Sequence, residues 1–214
     1  MKAHFFTTAT LMLMLVCSCI PREWKGRMDA FLSDTEVPQL LQVRCGSASR
    51  AWVFLYDRSD SAWRLRASGA AFIGRCGIGK TKEGDAMTPE GDFPVGTAFG
   101  RLPSPDTRLP YLQLRPGIIA CDSEGPWYNC IVDTLGTGIR CSGEDMYAIA
   151  PEYDYGLEIG YNRERQYPLG SAIFLHCKGE KKYTGGCVAV DRSLMVKILE
   201  LAEPGMLVSI HPRR

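Results

Sequence analysis

Two side chains near the carboxyl end could perform nucleophilic catalysis together. Cys187 directly follows Gly185 and Gly186, and two glycines before a thiol let the main chain approach a substrate and point N–H groups at a developing oxyanion. A cysteine thiol is mostly protonated at neutral pH, so a nucleophilic cysteine needs a base beside it. Of the three histidines, His176 is the candidate base because the other two lie near the ends of the chain. The residue types therefore suggest a Cys187–His176 pair.

Spacing alone leaves two other interpretations open. Cys187 could be half of a disulfide while His176 is a buried core residue with satisfied hydrogen bonds. A zinc site is the second alternative, because Cys141 and Cys177 could join Cys187 and His176 as ligands. No C-x-x-C pair of the kind that marks structural zinc accompanies them. We therefore expect neither a metal nor an organic cofactor.

Short strands between turns must position these side chains. Residues 51–57 and 62–68 predict a hairpin, and residues 93–99 and 156–162 predict further strands. Residues 171–176 (SAIFLH) form a continuous apolar run, which is typical of a strand buried on both faces.

The carboxyl end predicts one helix and a last strand. Leu194, Ile198 and Leu201 fall on one helical face, Asp191 or Ser193 could cap the helix, and residues 206–210 follow as a strand. The expected fold is mostly β: one domain of mixed sheets or a sandwich, with a few short helices and one carboxyl-terminal helix.

Composition supports a folded domain without a charged macromolecular partner. Lys plus Arg number 25 and Asp plus Glu number 24, so no net field favours nucleic acid or an anionic membrane. The 22 Gly and 13 Pro indicate frequent turns, which suit a strand-rich fold better than a helical bundle.

The amino end reads as an export signal. Residues 5–20 contain no charged side chain, and the apolar run is shorter than a membrane span, so residues 1–18 predict a signal peptide. A buried first helix or strand is the alternative. VCSC (residues 16–19) resembles a bacterial lipobox, which implies a diacylglycerol on Cys19. Val16 and Cys17 depart from the commonest lipobox, so cleavage without lipid stays open.

Residues 19–38 are expected to form a tether without strong periodicity, followed by the domain at 39–214.

Export also permits disulfides. Of nine cysteines, removing Cys17 and Cys19 leaves seven, an odd number, so at least one thiol should be free. Besides Cys187, these are Cys45, Cys76, Cys121, Cys130, Cys141 and Cys177, and the sequence does not choose among their pairings.

Residues 74–81 (GRCGIGKT) match the phosphate-binding pattern G-x-x-x-x-G-K-[ST]. That chemistry requires a helix directly after the loop. Gly84, Pro89, Gly91 and Pro94 exclude a helix of any length there. We expect a glycine-rich turn between strands and no bound nucleotide.

Seven blocks in order give the chain a family resemblance. They are residues 79–100, LPYLQL, DSEGPWYN (122–129), SGEDM (142–146), IGYN, GSAIFLH and TGGCVAV. From about residue 39 to 212 the sequence resembles the YkuD-type L,D-transpeptidase catalytic domain, a family that cross-links bacterial peptidoglycan.

The resemblance implies roles for individual residues. Cys187 corresponds to the nucleophile and His176 to the base, with the Cys177 carbonyl orienting the imidazole. The N–H groups of Gly186 and Cys187 are expected to hold the oxyanion, and Gly185 lies in the same turn. The residues expected to contact substrate are Thr184, Tyr183, Ser171 and Asn162. Residues 178–183 are expected to form either a lid or a solvated hairpin tip.

Several positions depart from the family pattern. Many members have His at the place of Gly185 and Arg at the place of Ala189. That arginine is thought to hold the substrate, and Arg192 could substitute for it here. The sequence looks closest to a subgroup of the family that shares these blocks. The paired Asp of that subgroup is interrupted here, with Cys121 preceding Asp122.

The activity implied is L,D-transpeptidation on tetrapeptide stems, with release of the terminal D-Ala and formation of 3-3 cross-links. An L,D-carboxypeptidase and a non-catalytic wall-binding lipoprotein are the alternatives. The expected partners are peptidoglycan stem peptides and, through a lipid on Cys19, a membrane. The expected location is the periplasm, anchored to the outer membrane.

Overall fold

The computed structural model describes residues 21–34, 36–60 and 62–213. The predicted signal peptide, Cys17 and Cys19 lie outside the described residues, so the export and lipid hypotheses stay predictions. None of the helices in the described ranges has the length and hydrophobicity that a membrane-spanning helix requires.

Strands dominate the described chain. They are β1 (Gln39–Cys45), β2 (Arg50–Arg58), β3 (Trp63–Phe72), β4 (Gly91–Gly100), β5 (Tyr111–Gln113), β6 (Ile118–Cys121), β7 (Ile131–Asp133), β8 (Gly143–Asp145), β9 (Gly156–Ile159), β10 (Phe174–Cys177), β11 (Val188–Val190) and β12 (Leu207–Pro212). The helices are α1 (Arg22–Ser33), α2 (Thr134–Thr137) and α3 (Arg192–Leu201), with a 3-10 turn at Glu152–Asp154. The prediction of a mostly β fold with a carboxyl-terminal helix is confirmed.

The large sheet closes on itself. Its hydrogen-bonded order is β12-β1-β2-β3-β11-β10-β9-β4-β5, and β4 pairs with β12 as well as with β9. β4 can do this because residues 91–94 pair with β12 while residues 95–99 pair with β9. The result is a barrel-like sandwich in which closure removes most of the free strand edges.

Alternation along β10 and β11 separates two apolar clusters. Leu175 and Val188 belong to the main core inside the barrel, whereas Phe174 and Cys187 belong to a second cluster on the other side of the sheet. Successive side chains of a strand point to opposite faces. Both faces of β10 are buried, as its continuous apolar run predicted.

A three-stranded sheet, β7-β6-β8, lies against the second cluster. A disulfide between Cys121 and Cys141, with a Cα–Cα distance of 5.8 Å, ties the end of β6 to the segment before β8. Cys45, Cys76, Cys130, Cys177 and Cys187 are free thiols. The expectation of at least one free thiol therefore holds within the described chain.

Helix α3 matches its prediction closely. Ile198 is fully buried with Met195 and Leu199, while Leu194 and Leu201 pack against the main core from the edges of the buried face. Asp191 occupies the N-cap position, but its side chain makes no capping hydrogen bond and pairs with Lys178 at 3.1 Å.

Residues 19–38, which were expected to form a tether without strong periodicity, contain a helix in their described part. Residues 22–33 form α1, which covers the outer face of β1 and β2. Trp24, Met28 and Phe31 share the i, i+4, i+7 spacing of one helical face. Met28 packs with Leu40 and Tyr56 in a third apolar cluster. Any role of this segment as a link to a membrane stays a prediction.

Trp24 holds α1 on the barrel. Its side chain is 1% exposed, its indole N–H donates to Pro212 O at 3.2 Å, and the Arg44 guanidinium lies 5.3 Å from its ring centroid. Each of these contacts joins the helix to β1 or β12. Docking of α1 therefore depends on one large buried side chain.

Replacing Trp24 tests this docking. We expect Trp24→Ala to lower the free energy of unfolding by about 3–5 kcal/mol, because it opens a cavity under the helix. The exposed neighbouring substitution Glu23→Ala is the control and should stay within about 0.5 kcal/mol. Urea unfolding of both variants measures the difference. Equal stabilities would show that α1 does not pack on the domain.

Candidate active site

His176 and Cys187 lie in the same cavity. The parallel pairing of β10 with β11 places His176 opposite Ala189, two residues beyond Cys187, so all three side chains belong to the same face of the sheet. They line a cavity of about 540 Å³ together with Thr184, Gly185 and Gly186. The two chemical groups singled out from the sequence are thus brought together on the floor of one cleft.

The His176 ring is fixed by one hydrogen bond and one aromatic contact. Nδ1 lies 2.7 Å from Cys177 O, and because a carbonyl oxygen only accepts, Nδ1 carries the proton. The ring of Tyr153 stands nearly perpendicular to it, with centroids 5.5 Å apart. Burial lowers the pKa of His176 below its usual 6.5, so the ring is neutral at pH 7. Nε2 is then left with a lone pair and can accept a proton.

Cys187 is a buried, protonated thiol at rest. Its Sγ accepts from Phe174 N–H at 3.3 Å and donates to Ala172 O at 3.2 Å. Burial, with a smaller effect from Glu144, raises the pKa of Cys187 to about 12. Within the described chain no hydrogen bond joins Sγ to the His176 ring. Sγ must therefore exchange these partners for Nε2 before a proton can pass to His176.

Two threonine hydroxyls hold the main chain of the nucleophile. Thr184 Oγ1 donates to Cys187 O at 2.6 Å, and Thr88 Oγ1 donates to the same oxygen at 3.3 Å. Thr184 Oγ1 also accepts from Gly186 N–H at 3.2 Å. The prediction that Gly186 N–H serves the oxyanion is therefore not supported in this state, because that donor is already engaged. The Cys187 N–H makes no hydrogen bond among the described residues and is available.

The two glycines before Cys187 differ in what they require. A Cβ on Gly185 would meet no atom within 4 Å, so this position can carry a side chain. Gly186 has a φ of +157°, and a Cβ there would lie 3.0 Å from Met87 O and 3.1 Å from Ile173 Cδ1. Glycine at 186 thus permits close packing of the nucleophile turn against the loop that carries Met87.

A buried ion pair supports that loop. Lys80 and Asp85 are 3% and 8% exposed, and their charged atoms are 3.0 Å apart. Although burial alone would raise it, the pKa of Asp85 falls to about 2, because its carboxylate accepts from the N–H groups of Thr81, Met87 and Lys82 and from Lys80. Within the GKT segment of the glycine-rich motif, Lys80 and the Thr81 N–H therefore stabilise a folded loop through Asp85. A turn and β4 follow this loop, not a helix.

Tyr153 and Glu144 form a buried wall beside the thiol. The Tyr153 hydroxyl donates to Glu144 Oε2, and both residues line the cavity. Burial raises the pKa of Tyr153 well above its ordinary value and also raises that of Glu144. Tyr153 lies in none of the seven blocks that carry the family resemblance, so the sequence did not identify it as a site residue. Only its contact with His176 in the folded chain does so.

The other predicted site residues divide into two groups. Tyr183 and Ser171 line the cavity, Ser171 being buried and Tyr183 being 39% exposed. Asn162 does not line it: its Nδ2 donates to Gln166 O and Gly170 O, which fixes the loop before β10. The structure therefore gives Asn162 a role in holding this loop, and its assignment as a substrate contact stays a prediction.

Arg192 does not take the place of the family arginine. Its guanidinium pairs with the buried Asp154, which also pairs with Arg101 at 3.2 Å. Arg192 is absent from the residues that line the cavity, whereas Ala189 is among them. The suggestion that Arg192 substitutes at position 189 is therefore wrong for this conformation.

The two alternative interpretations of the cysteine–histidine pair fit poorly. Cys187 is a free thiol, not a half-cystine. Cys141 is bound to Cys121, and the Cys177 Sγ lies in the barrel core, where it donates to Tyr155 O. Among the described residues no group of three or more His, Cys, Asp or Glu side chains could hold a metal ion. The four suggested zinc ligands do not converge.

The fold and the cleft define a mostly β domain with a buried cysteine–histidine pair. Residues 47–210 match the L,D-transpeptidase catalytic domain family, YkuD. The chain belongs to this family, as the seven sequence blocks predicted. Membership supports a function of the L,D-transpeptidase family.

Three solved structures resemble the chain at low sequence identity. Bd1075 of Bdellovibrio bacteriovorus has 14% identity and a TM-score of 0.46 over 82% of this chain and 48% of its own. The helical cell shape determining protein Pgp2 of Campylobacter jejuni has 15% identity and a TM-score of 0.45 over 89% and 56%, and its K307A mutant gives 16% and 0.46 over 91% and 58%. This chain thus spans about half the length of those proteins. No curated protein matches it.

Matched substitutions at the two glycines test the nucleophile turn. We expect Gly186→Ala to cost about 1–3 kcal/mol of unfolding free energy, because the new Cβ meets a main-chain oxygen. Gly185→Ala should change stability by no more than about 0.5 kcal/mol, since its Cβ would enter open space. Denaturant unfolding of the pair checks both values. A larger cost at Gly185 than at Gly186 would contradict this geometry.

Proposed function

We propose that this protein is a cysteine-dependent L,D-transpeptidase that acts on the tetrapeptide stems of peptidoglycan. The observation that carries the proposal is the shared cleft of Cys187 and His176, in which Nε2 of a neutral imidazole faces no competing partner among the described residues. Family membership supports the substrate class.

The first step is attack by sulfur. As the thiol turns towards His176, Nε2 takes its proton while Sγ attacks the carbonyl carbon of the third stem residue. Because burial makes a free thiolate unfavourable, the proton leaves as the new C–S bond forms. The neutral thiol and neutral imidazole at rest thus become an ion pair only as substrate reacts.

Collapse of the tetrahedral intermediate releases the terminal D-Ala. The Cys187 N–H is free to donate to the oxyanion, a contribution of typically ~3 kcal/mol per donor. The C–N bond breaks, the imidazolium returns its proton to the departing amine, and a thioester remains on Cys187. The side-chain amine of a neighbouring stem then attacks the thioester carbonyl and loses a proton to His176. The C–S bond breaks, the imidazolium returns the proton to the departing Cys187 sulfur, and a 3-3 cross-link between the two stems results.

Water can attack the same thioester, and the protein would then be an L,D-carboxypeptidase. Whether water or the amine of a second stem attacks the thioester depends on how far water is excluded and on whether a second stem is bound. Residues 178–183 supply Gly179, Lys181 and Tyr183 to the cavity lining, so this loop is placed where a lid would act.

We further propose export to the periplasm, with Cys19 as the site of a lipid that anchors the protein to the outer membrane. The uncharged residues 5–20 and the VCSC segment support this. Mass spectrometry of the mature amino terminus tests it, since a diacylglyceryl-modified Cys19 and a simple cleavage product differ in mass.

Muropeptide analysis distinguishes the possible activities. Purified protein incubated with sacculi rich in tetrapeptide stems should produce new 3-3 cross-linked dimers with loss of D-Ala. Cys187→Ala should reduce this product at least about 1000-fold, because no other group forms the thioester. Cys76→Ser, which removes an exposed free thiol outside the cleft, is the control and should keep full activity. Shortened stems alone indicate the carboxypeptidase, and unchanged sacculi indicate a binding protein.

The pH dependence of kcat/KM tests the role of His176. Activity requires the neutral ring, so it should persist as the pH falls through 6.5 and decline only below that value, since burial lowers the pKa of His176. Steady-state assays across this interval locate the acid limb. A limb centred above 6.5, or one that is unchanged in His176→Gln, would contradict the assignment of His176 as the base.

A further inference from the structure

Arg75 is a cation in the cleft wall without an anionic partner. It lines the cavity that holds Cys187 and His176, and it makes no ion pair with the residues that the structure describes. Lys80, another cation of the lining, is neutralised by Asp85. Lys181 also lines the cavity without an ion pair in the described ranges, and both it and Arg75 are exposed. Arg75 differs in having main-chain and ring contacts with Thr184 and Tyr183.

The position of Arg75 is fixed from two sides. Its main-chain N–H donates to Thr184 O at 3.0 Å, and the adjacent Gly74 forms a β-bridge with Thr184. Its guanidinium lies over the Tyr183 ring, 5.8 Å from the centroid, a contact in which a cation is attracted to the ring face. Arg75 is therefore tied to the turn that carries the nucleophile, three residues before Cys187.

The substrate of the proposed reaction carries a matching charge. The D-Ala that leaves has a free carboxylate one residue beyond the attacked carbonyl. A planar guanidinium can bind a carboxylate with two parallel hydrogen bonds. An unpaired arginine tied to the nucleophile turn is therefore suited to recognise a stem that ends at this residue.

We propose that Arg75, supported by Tyr183, binds the terminal carboxylate of the donor stem and makes the enzyme select stems with a free carboxyl end. The inference rests on the proposed function and adds a specificity-determining residue to it. Recognition of the carboxylate places the scissile carbonyl above Cys187 and rejects stems whose fourth residue is amidated or extended.

A substrate pair isolates this interaction. One tetrapeptide ends in D-Ala and the other in D-alaninamide, so they differ only in the charge of the terminal group. Arg75→Ala should lower kcat/KM for the carboxylate peptide about 10–100-fold and leave the amide nearly unchanged, because only the carboxylate loses a charge-assisted contact. Arg75→Lys should restore part of the selectivity, and Arg75→Gln should not.

Controls separate this proposal from the proposed function. Arg50→Ala removes an exposed arginine outside the cavity lining and should leave both peptides unaffected. Calorimetry measures the affinity of both peptides for the inactive Cys187→Ala protein and for the Cys187→Ala/Arg75→Ala double variant. The difference between the two peptides gives the preference for the carboxylate without any turnover. If the enzyme with Cys187 intact turns over neither peptide, the proposed function fails, while the binding data still decide the role of Arg75. Equal losses for both peptides on Arg75→Ala, or a carboxylate-selective loss found only with Lys181→Ala, would overturn the inference.

Discussion

The parallel pairing of β10 with β11 is the constraint on which the site depends. One face of this pair, which includes Leu175 and Val188, is locked into the barrel core, so the register cannot slip without exposing it. The opposite face is thereby fixed, and it presents His176 and Cys187 to one cleft. Packing of the barrel core thus sets the relative position of the nucleophile and the base.

Burial determines how this pair works. A thiol whose pKa is near 12 beside a histidine whose pKa is lowered rests as two neutral groups. The buried thiol is therefore less reactive towards other electrophiles and oxidants than a thiolate would be, and it loses its proton only as it attacks the substrate. The hydroxyls of Thr184 and Thr88 hold the Cys187 main chain during this change, and the Lys80–Asp85 pair shapes the loop beneath it.

The sequence predicted those features that depend on local pattern. The strand at β10 and the helix α3 follow from an apolar run and a helical period, and ordered motifs singled out Cys187 and His176, which the structure brings into one cavity. The helix α1 was detectable from the spacing of Trp24, Met28 and Phe31, but its mixed charge concealed the apolar face. Contacts between distant residues were not predictable. The engagement of Gly186 N–H by Thr184, the choice of Cys121 and Cys141 for the disulfide, and the loop contacts of Asn162 all arise only when separate segments pack together.

The central claim, that Cys187 carries the acyl group with His176 as its base, is tested most directly by intact-protein and peptide mass spectrometry after mixing with a tetrapeptide in the absence of an amine acceptor. We expect a thioester on Cys187, with a mass increase equal to the stem minus its terminal D-Ala. The adduct should form much more slowly in His176→Ala. An adduct on another thiol such as Cys76, or the same rate of acylation without the imidazole, would contradict it.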